Sequence, residues 1–95
     1  MKKYELMAII NTSFSEDNAR DISNKIKDII SSSRGKIMNS DFWGKRKFAY
    51  PINKETEGYY EVTTFEMDGK NLGAFKSKLG REEALLRYLI TISLN

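Results

Sequence analysis

Apolar and polar residues alternate along residues 2 to 11, with Tyr4, Leu6, Ala8 and Ile10 on one parity. Successive side chains of a strand point to opposite faces, so this is a strand with one buried face. Met7 and Ile9 make the other parity apolar too, which places the strand inside a sheet rather than at its edge. The period then changes. Ala19, Ile22, Ile26, Ile29 and Ile30 share one stripe at helical spacing. Ser15 is placed to cap free N–H groups, Glu16 and Asp17 suit the positive helix end, and Phe14 is placed to staple onto Ala19. Arg34-Gly35 closes the helix, with Gly35 expected to take the left-handed stop conformation.

Residues 36 to 53 read as strand on both sides of Gly44, which marks a bulge or kink. Pro51 has no N–H to donate, so this strand belongs at an edge. Residues 54 to 58 form a polar turn, and residues 59 to 67, rich in aromatic and β-branched side chains, return as the second strand of a hairpin. A short helix follows from Asp68 as cap to Leu79, stopped by Gly80, with Leu72, Phe75 and Leu79 facing inward. From about Leu86, the alternation of Leu86, Tyr88, Ile90 and Ile92 predicts a last strand. The order β-α-β-β-α-β is the ferredoxin-like split βαβ arrangement: an α+β domain over residues 1–95, with a four-stranded antiparallel sheet and two helices on one face. The other face and the edge strand are left for partners.

Composition narrows the chemistry. The 95 residues hold no histidine and no cysteine. That removes the commonest general base, the thiol nucleophile and the usual soft metal ligands, so no catalytic residue, metal or cofactor is expected. Glu82 and Glu83 sit beside Arg81 as a solvated cluster, and no phosphate-cradling glycine motif occurs. The apolar run of the first strand, bracketed by Glu5 and Asn11, is too short for a signal peptide or membrane span, so a cytoplasmic chain with no membrane partner is expected. Sixteen Lys and Arg against thirteen Asp and Glu give a net charge of +3, compatible with a polyanion without requiring one.

The cations are not evenly spread. Lys45, Arg46 and Lys47 are consecutive, between Trp43 and Tyr50. On an extended strand Lys45 and Lys47 point one way and Arg46 the other, so the three cover both rims of the edge. Charges on an edge strand also stop it pairing with other chains, and on charge alone that reading is slightly favoured. The neighbouring aromatic rings shift the balance toward nucleic acid, because stacking on a base is worth roughly 1–3 kcal/mol. Phe48 is expected in the core, while Trp43 suits either role. Lys2 and Lys3 are a solvated terminus or an addition to a basic rim; Arg87 is a surface ion pair with Glu5 or another acid, or a further contact. Of the adjacent Tyr59 and Tyr60, one belongs in the core and the other on the open face with Val62, where an apolar surface invites a protein or nucleic-acid partner. The stretch "EGYYEVTTF" matches the RNA-recognition-motif signature only weakly, with Glu61 where a stacking aromatic is expected.

In order and spacing, "KKYELMAII", "WGKRKFAYPINK", "EGYY" and "LLRYLI" resemble the bacterial small-subunit ribosomal protein six family over essentially the whole chain. The resemblance implies a ferredoxin-like fold and a non-enzymatic role as a structural component of the small ribosomal subunit, hence a cytoplasmic, ribosome-associated protein. It also implies joint binding, with small-subunit protein eighteen, to the central domain of small-subunit ribosomal RNA, and no small-molecule substrate. Carried over by position, Lys2, Lys3, Tyr4, Trp43, Lys45, Arg46, Tyr50 and Arg87 become expected RNA contacts. Lys47 is added for its charge, and Tyr60 and Val62 form the expected protein-partner face. The chain departs from the family pattern at Gly80-Arg81-Glu82-Glu83, which is more acidic, and at the cation-free "TISLN". A ferredoxin-like regulatory or interaction module, binding a small metabolite or a protein partner, is the alternative from the residues alone.

Overall fold

A computed structural model describes residues 2–12, 15–52 and 55–93. The elements run β1 (Lys2–Asn11), α1 (Glu16–Ser32), β2 (Lys36–Ile52), β3 (Glu55–Met67), α2 (Gly69–Gly80) and β4 (Leu85–Ile92). The strands form one antiparallel sheet in the order β2-β3-β1-β4, so β1 is internal and β2 is an edge, as the alternation and Pro51 predict.

Each helix begins as its cap residue dictates. Ser15 Oγ accepts the Asn18 N–H at 3.2 Å, and the Asp68 carboxylate accepts the Lys70 N–H at 3.3 Å. The expected Phe14 staple lies outside the described residues. The stop of α1 differs from expectation: Arg34, at φ 64°, takes the left-handed conformation, not Gly35. Gly35 serves close approach instead, because a Cβ there would sit 2.7 Å from Ile30 Cγ2 and 2.9 Å from Met67 Cε. The hairpin is also tighter than the polar run suggests. β3 already begins at Glu55, because residues 55–58 continue the ladder with β2. At its other end α2 runs through Gly80 and is capped by Arg81.

Both helices cover one face. Tyr4, Leu6 and Ala8 of β1, Phe65 and Met67 of β3, Ile26 and Ile30 of α1, and Phe75 and Leu79 of α2 form the main core. Ile10, Ala19 and Tyr59 form a smaller cluster beside it, against which Phe42 packs. Gly73 is exposed in the middle of α2, and a Cβ there would meet nothing within 4 Å. Gly73→Ala is therefore expected to raise stability by about 0.5–1 kcal/mol, read as a higher urea midpoint at unchanged slope.

Candidate protein and nucleic-acid interface

The register orders the side chains of the uncovered face into rows. Gly44, Tyr60, Ile9 and Arg87 are successive neighbours across the sheet, and Asp41, Val62, Met7 and Leu89 form the next row. Beyond them come Asn39, Thr64, Glu5 and Thr91, then Lys36, Glu66 and Lys3. One end of this face is thus apolar and aromatic, the other polar.

Tyr60 is the centre of the apolar end. Trp43 lies parallel to it, with ring centroids 6.3 Å apart, and Phe48 tilts against it at 6.0 Å. The bulge between Phe42 and Gly44, with Gly44 at φ 82°, sets this geometry. It keeps Phe42 on the helix side against Tyr59, at 6.2 Å, while Trp43 turns to the open side. Trp43 Nε1 donates to Asp41 Oδ2 at 3.1 Å, which fixes the indole while 42% of the residue stays exposed. Phe48 is not in the core as expected: the absence of a side chain at Gly58 leaves room for it and Ile9 on the open face. Met7, Ile9, Tyr60 and Leu89, with Arg87 at the rim, line a shallow depression of about 250 Å³.

The cations divide as strand parity requires. Lys45 and Lys47 stand opposite Tyr59 and Glu57, on the helix-side rim. Lys45 Nζ lies 5.8 Å from the Tyr59 ring centroid and 3.8 Å from Glu57 Oε1. Arg46, opposite Gly58, belongs to the open-side rim. Arg87 is exposed on the same side of the opposite edge. The ion pair with Glu5 does not form: Glu5 stands opposite Thr91 and Arg87 opposite Ile9, four residues apart along β1 and so about 13 Å distant. Arg46 and Arg87 therefore flank the aromatic end of the face from its two edges. Tyr50, further along β2, is 78% exposed.

Three of the expected contacts do not join this group. Tyr4 is only 4% exposed and stacks on Phe65 at 5.6 Å, so its ring is a core element and cannot serve as a binding surface. Lys2 and Lys3 begin β1 at the polar end, about 20 Å from Ile9 along the strand, rather than adding to the rim near Arg87. Met7, Ile9 and Leu89 were absent from the expected site, although the apolar odd parity of β1 was the signal for two of them.

Glu61 faces the helices, away from the surface on which a stacking ring would act. It is 1% exposed, accepts hydrogen bonds from Ser23 Oγ and, at 3.3 Å, from Thr63 Oγ1, and so ties β3 to α1. Arg20 lies beside it, its guanidinium 4.5 Å above the Phe42 ring. Glu82 pairs with Lys25 at 3.3 Å and accepts the Ala84 N–H, a structural role for the acidic turn.

A split βαβ sheet with a cation-bearing edge and an uncovered aromatic face defines a ferredoxin-like binding protein whose surface offers charge and stacking rather than catalytic groups. The family model for ribosomal protein S6 matches residues 3–91, and the chain belongs to the ribosomal protein S6 family. Small ribosomal subunit protein bS6 of Fusobacterium nucleatum is 40% identical over 90 residues, covering 95% of this chain and 96% of that protein. Its counterpart in Dictyoglomus turgidum is 41% identical over 92 residues, covering 97% and 95%. The crystal structure of 30S ribosomal protein S6 from Thermotoga maritima superposes with a TM-score of 0.92 at 32% identity, covering 97% of this chain and 87% of that one. The chain is accordingly a structural, non-enzymatic component of the small ribosomal subunit, ribosome-associated in the bacterial cytoplasm and part of an assembly built with ribosomal RNA. This membership sets aside the metabolite-binding alternative.

Proposed function

We propose that this chain holds the central domain of small-subunit ribosomal RNA jointly with small-subunit protein eighteen, using two adjoining surfaces. Phosphates meet the β2 edge through Lys45, Arg46 and Lys47, with Trp43 and Tyr50 as stacking surfaces and Arg87 closing the far rim. Lys2 and Lys3 make a second, separate contact at the other end of the sheet. The protein partner covers the apolar end of the open face around Tyr60 and Val62. The observation that carries this reading is the placement of Arg87 at one edge of the aromatic end of the open face and of Arg46, one row beyond Tyr60, at the other, so that charge frames an apolar patch.

The chemistry follows from ordinary electrostatics. Cations on phosphates set position without reading sequence. Neutralising three or four phosphates gives a slope of log K against log salt of roughly −2 to −4. With a net charge of only +3, that attraction alone yields weak binding, so affinity comes from the second protein's contacts. Titration of a labelled central-domain RNA fragment, with and without protein eighteen and at several salt concentrations, tests this. Tight, salt-sensitive binding is expected only with both proteins. Arg46→Ala is expected to make the slope shallower by about 1. Equal affinity with and without protein eighteen would overturn the joint reading.

A further inference from the structure

The aromatic end of the open face holds one acid. Asp41 stands opposite Val62, in the row that continues to Met7 and Leu89, so it lies in the patch assigned to the protein partner. Asp41 and Trp43 are two residues apart on β2, and the indole Nε1–H donates to Asp41 Oδ2 at 3.1 Å. A carboxylate has about four lone-pair sites, and this bond uses one of them. Several other acids are satisfied within the chain: Glu57 pairs with Lys45, Glu82 with Lys25 and Asp68 with Lys70, while Glu61 accepts from Ser23 and Thr63. No Lys or Arg of the described residues pairs with Asp41. Arg46, on the same side of β2, stands opposite Gly58, four β3 residues from Val62 and so about 13 Å along the strand. Arg87 belongs to the far edge.

A protein that covers Val62 also covers Asp41. Withdrawing a carboxylate from water is costly unless a counter-charge meets it, so the partner that fits here carries a cation at that point. Asp41 bears on RNA as well. It sits at the edge of Trp43, the ring assigned to stacking, where its charge repels the phosphates on either side of a stacked nucleotide. We propose that Asp41 couples the two partners: its free Oδ1 receives one cationic side chain of the protein partner, and the cation held there cancels the charge that keeps RNA off Trp43. This coupling rests on the joint binding proposed above and gives its protein face a charge requirement. Each partner then favours the other by the same factor, whichever binds first.

Asp41→Asn separates charge from shape, because the amide has the size of the carboxylate but offers one acceptor atom where the carboxylate offers two. Calorimetric titration with protein eighteen, in the absence of RNA, is expected to give an affinity lower by about tenfold to a hundredfold. The labelled central-domain fragment is expected to bind this variant alone, at low salt, about twofold to fivefold more tightly than it binds the parent. Trp43 is the single tryptophan, so quenching of its emission reads that binding at the site itself. The ratio of RNA affinities with saturating protein eighteen and without it falls by about the same twofold to fivefold, since no cation is held beside Trp43. A variant damaged in folding loses both affinities, so a loss on one side with a gain on the other is not damage. Asp41→Glu keeps the charge and is expected to restore most of the affinity for protein eighteen. If the parent binds protein eighteen and Asp41→Asn binds it equally well, the coupling is overturned while joint binding stands. An RNA affinity that fails to rise in Asp41→Asn overturns it too, as does an Asp41→Glu protein as weak toward protein eighteen as Asp41→Asn. A parent chain that does not bind protein eighteen, with or without RNA, removes the joint binding itself and the coupling with it.

Discussion

Phe65→Ala is expected to lower the unfolding free energy by about 3–5 kcal/mol. Phe65 is fully buried on the helix-covered face. Its ring stacks on Tyr4 at 5.6 Å and meets the edge of Phe75 at 5.3 Å, so it joins β1, β3 and α2 at one point. Truncation removes both aromatic contacts and leaves a void, which a close-packed interior refills only in part. Such a loss is a large share of the roughly 5–15 kcal/mol available to an ordinary domain. Urea unfolding followed by circular dichroism checks it. A loss below about 1 kcal/mol would mean that the three elements are not packed on this ring.

Tyr60→Ala is expected to weaken joint binding to RNA and protein eighteen by about 10- to 100-fold, the effect of losing a central aromatic anchor. Tyr60→Phe should retain most of the affinity, since it keeps the ring stacked between Trp43 and Phe48. Because Tyr60 is on the open face, outside both buried clusters, the alanine variant should stay folded. Binding of the RNA fragment with protein eighteen present, beside the urea midpoint of each variant, separates the two effects. A folded Tyr60→Ala protein that binds within about twofold of the parent would remove the aromatic row from the interface. Normal binding by Tyr60→Ala and loss by Arg46→Ala would reduce the surface to its charged edge.

The agreement between pattern and fold has a physical basis in periodicity. Tyr4, Leu6, Ala8 and Ile10 repeat every second residue, and only an extended strand puts them on one side. The Ala19-to-Ile30 stripe repeats at helical spacing, and only a helix does the same for it. Ser15 and Asp68 announced helix starts because their side chains satisfy N–H groups that no helix satisfies for itself. Pro51 marked the edge because it lacks a donor. These are local constraints, and the sequence by itself determined them: the element order, the internal place of β1 and the outward β2. The short stretches shared with the ribosomal protein S6 family added the assembly to which the chain belongs.

What only the tertiary structure decided was which side chains stand beside one another. Tyr4 and Tyr60 are both tyrosines on strands, yet one is sealed under two helices and the other faces outward, because the register sets Tyr4 against Phe65 and Tyr60 against Ile9. Lys2 and Arg87 are equally basic as residues. The antiparallel pairing of β1 with β4 sends them to opposite ends of the sheet. Phe48 left the expected core because Gly58, two residues before Tyr60, opens space on the other face. Glu61 is buried because Ser23 and Thr63 satisfy its carboxylate, and Ser23, on α1, is brought to it only by the packing of helix on sheet. Periodicity assigns each side chain to a face of its own element. Its neighbours depend on how the elements are registered against one another, and that is settled by long-range packing.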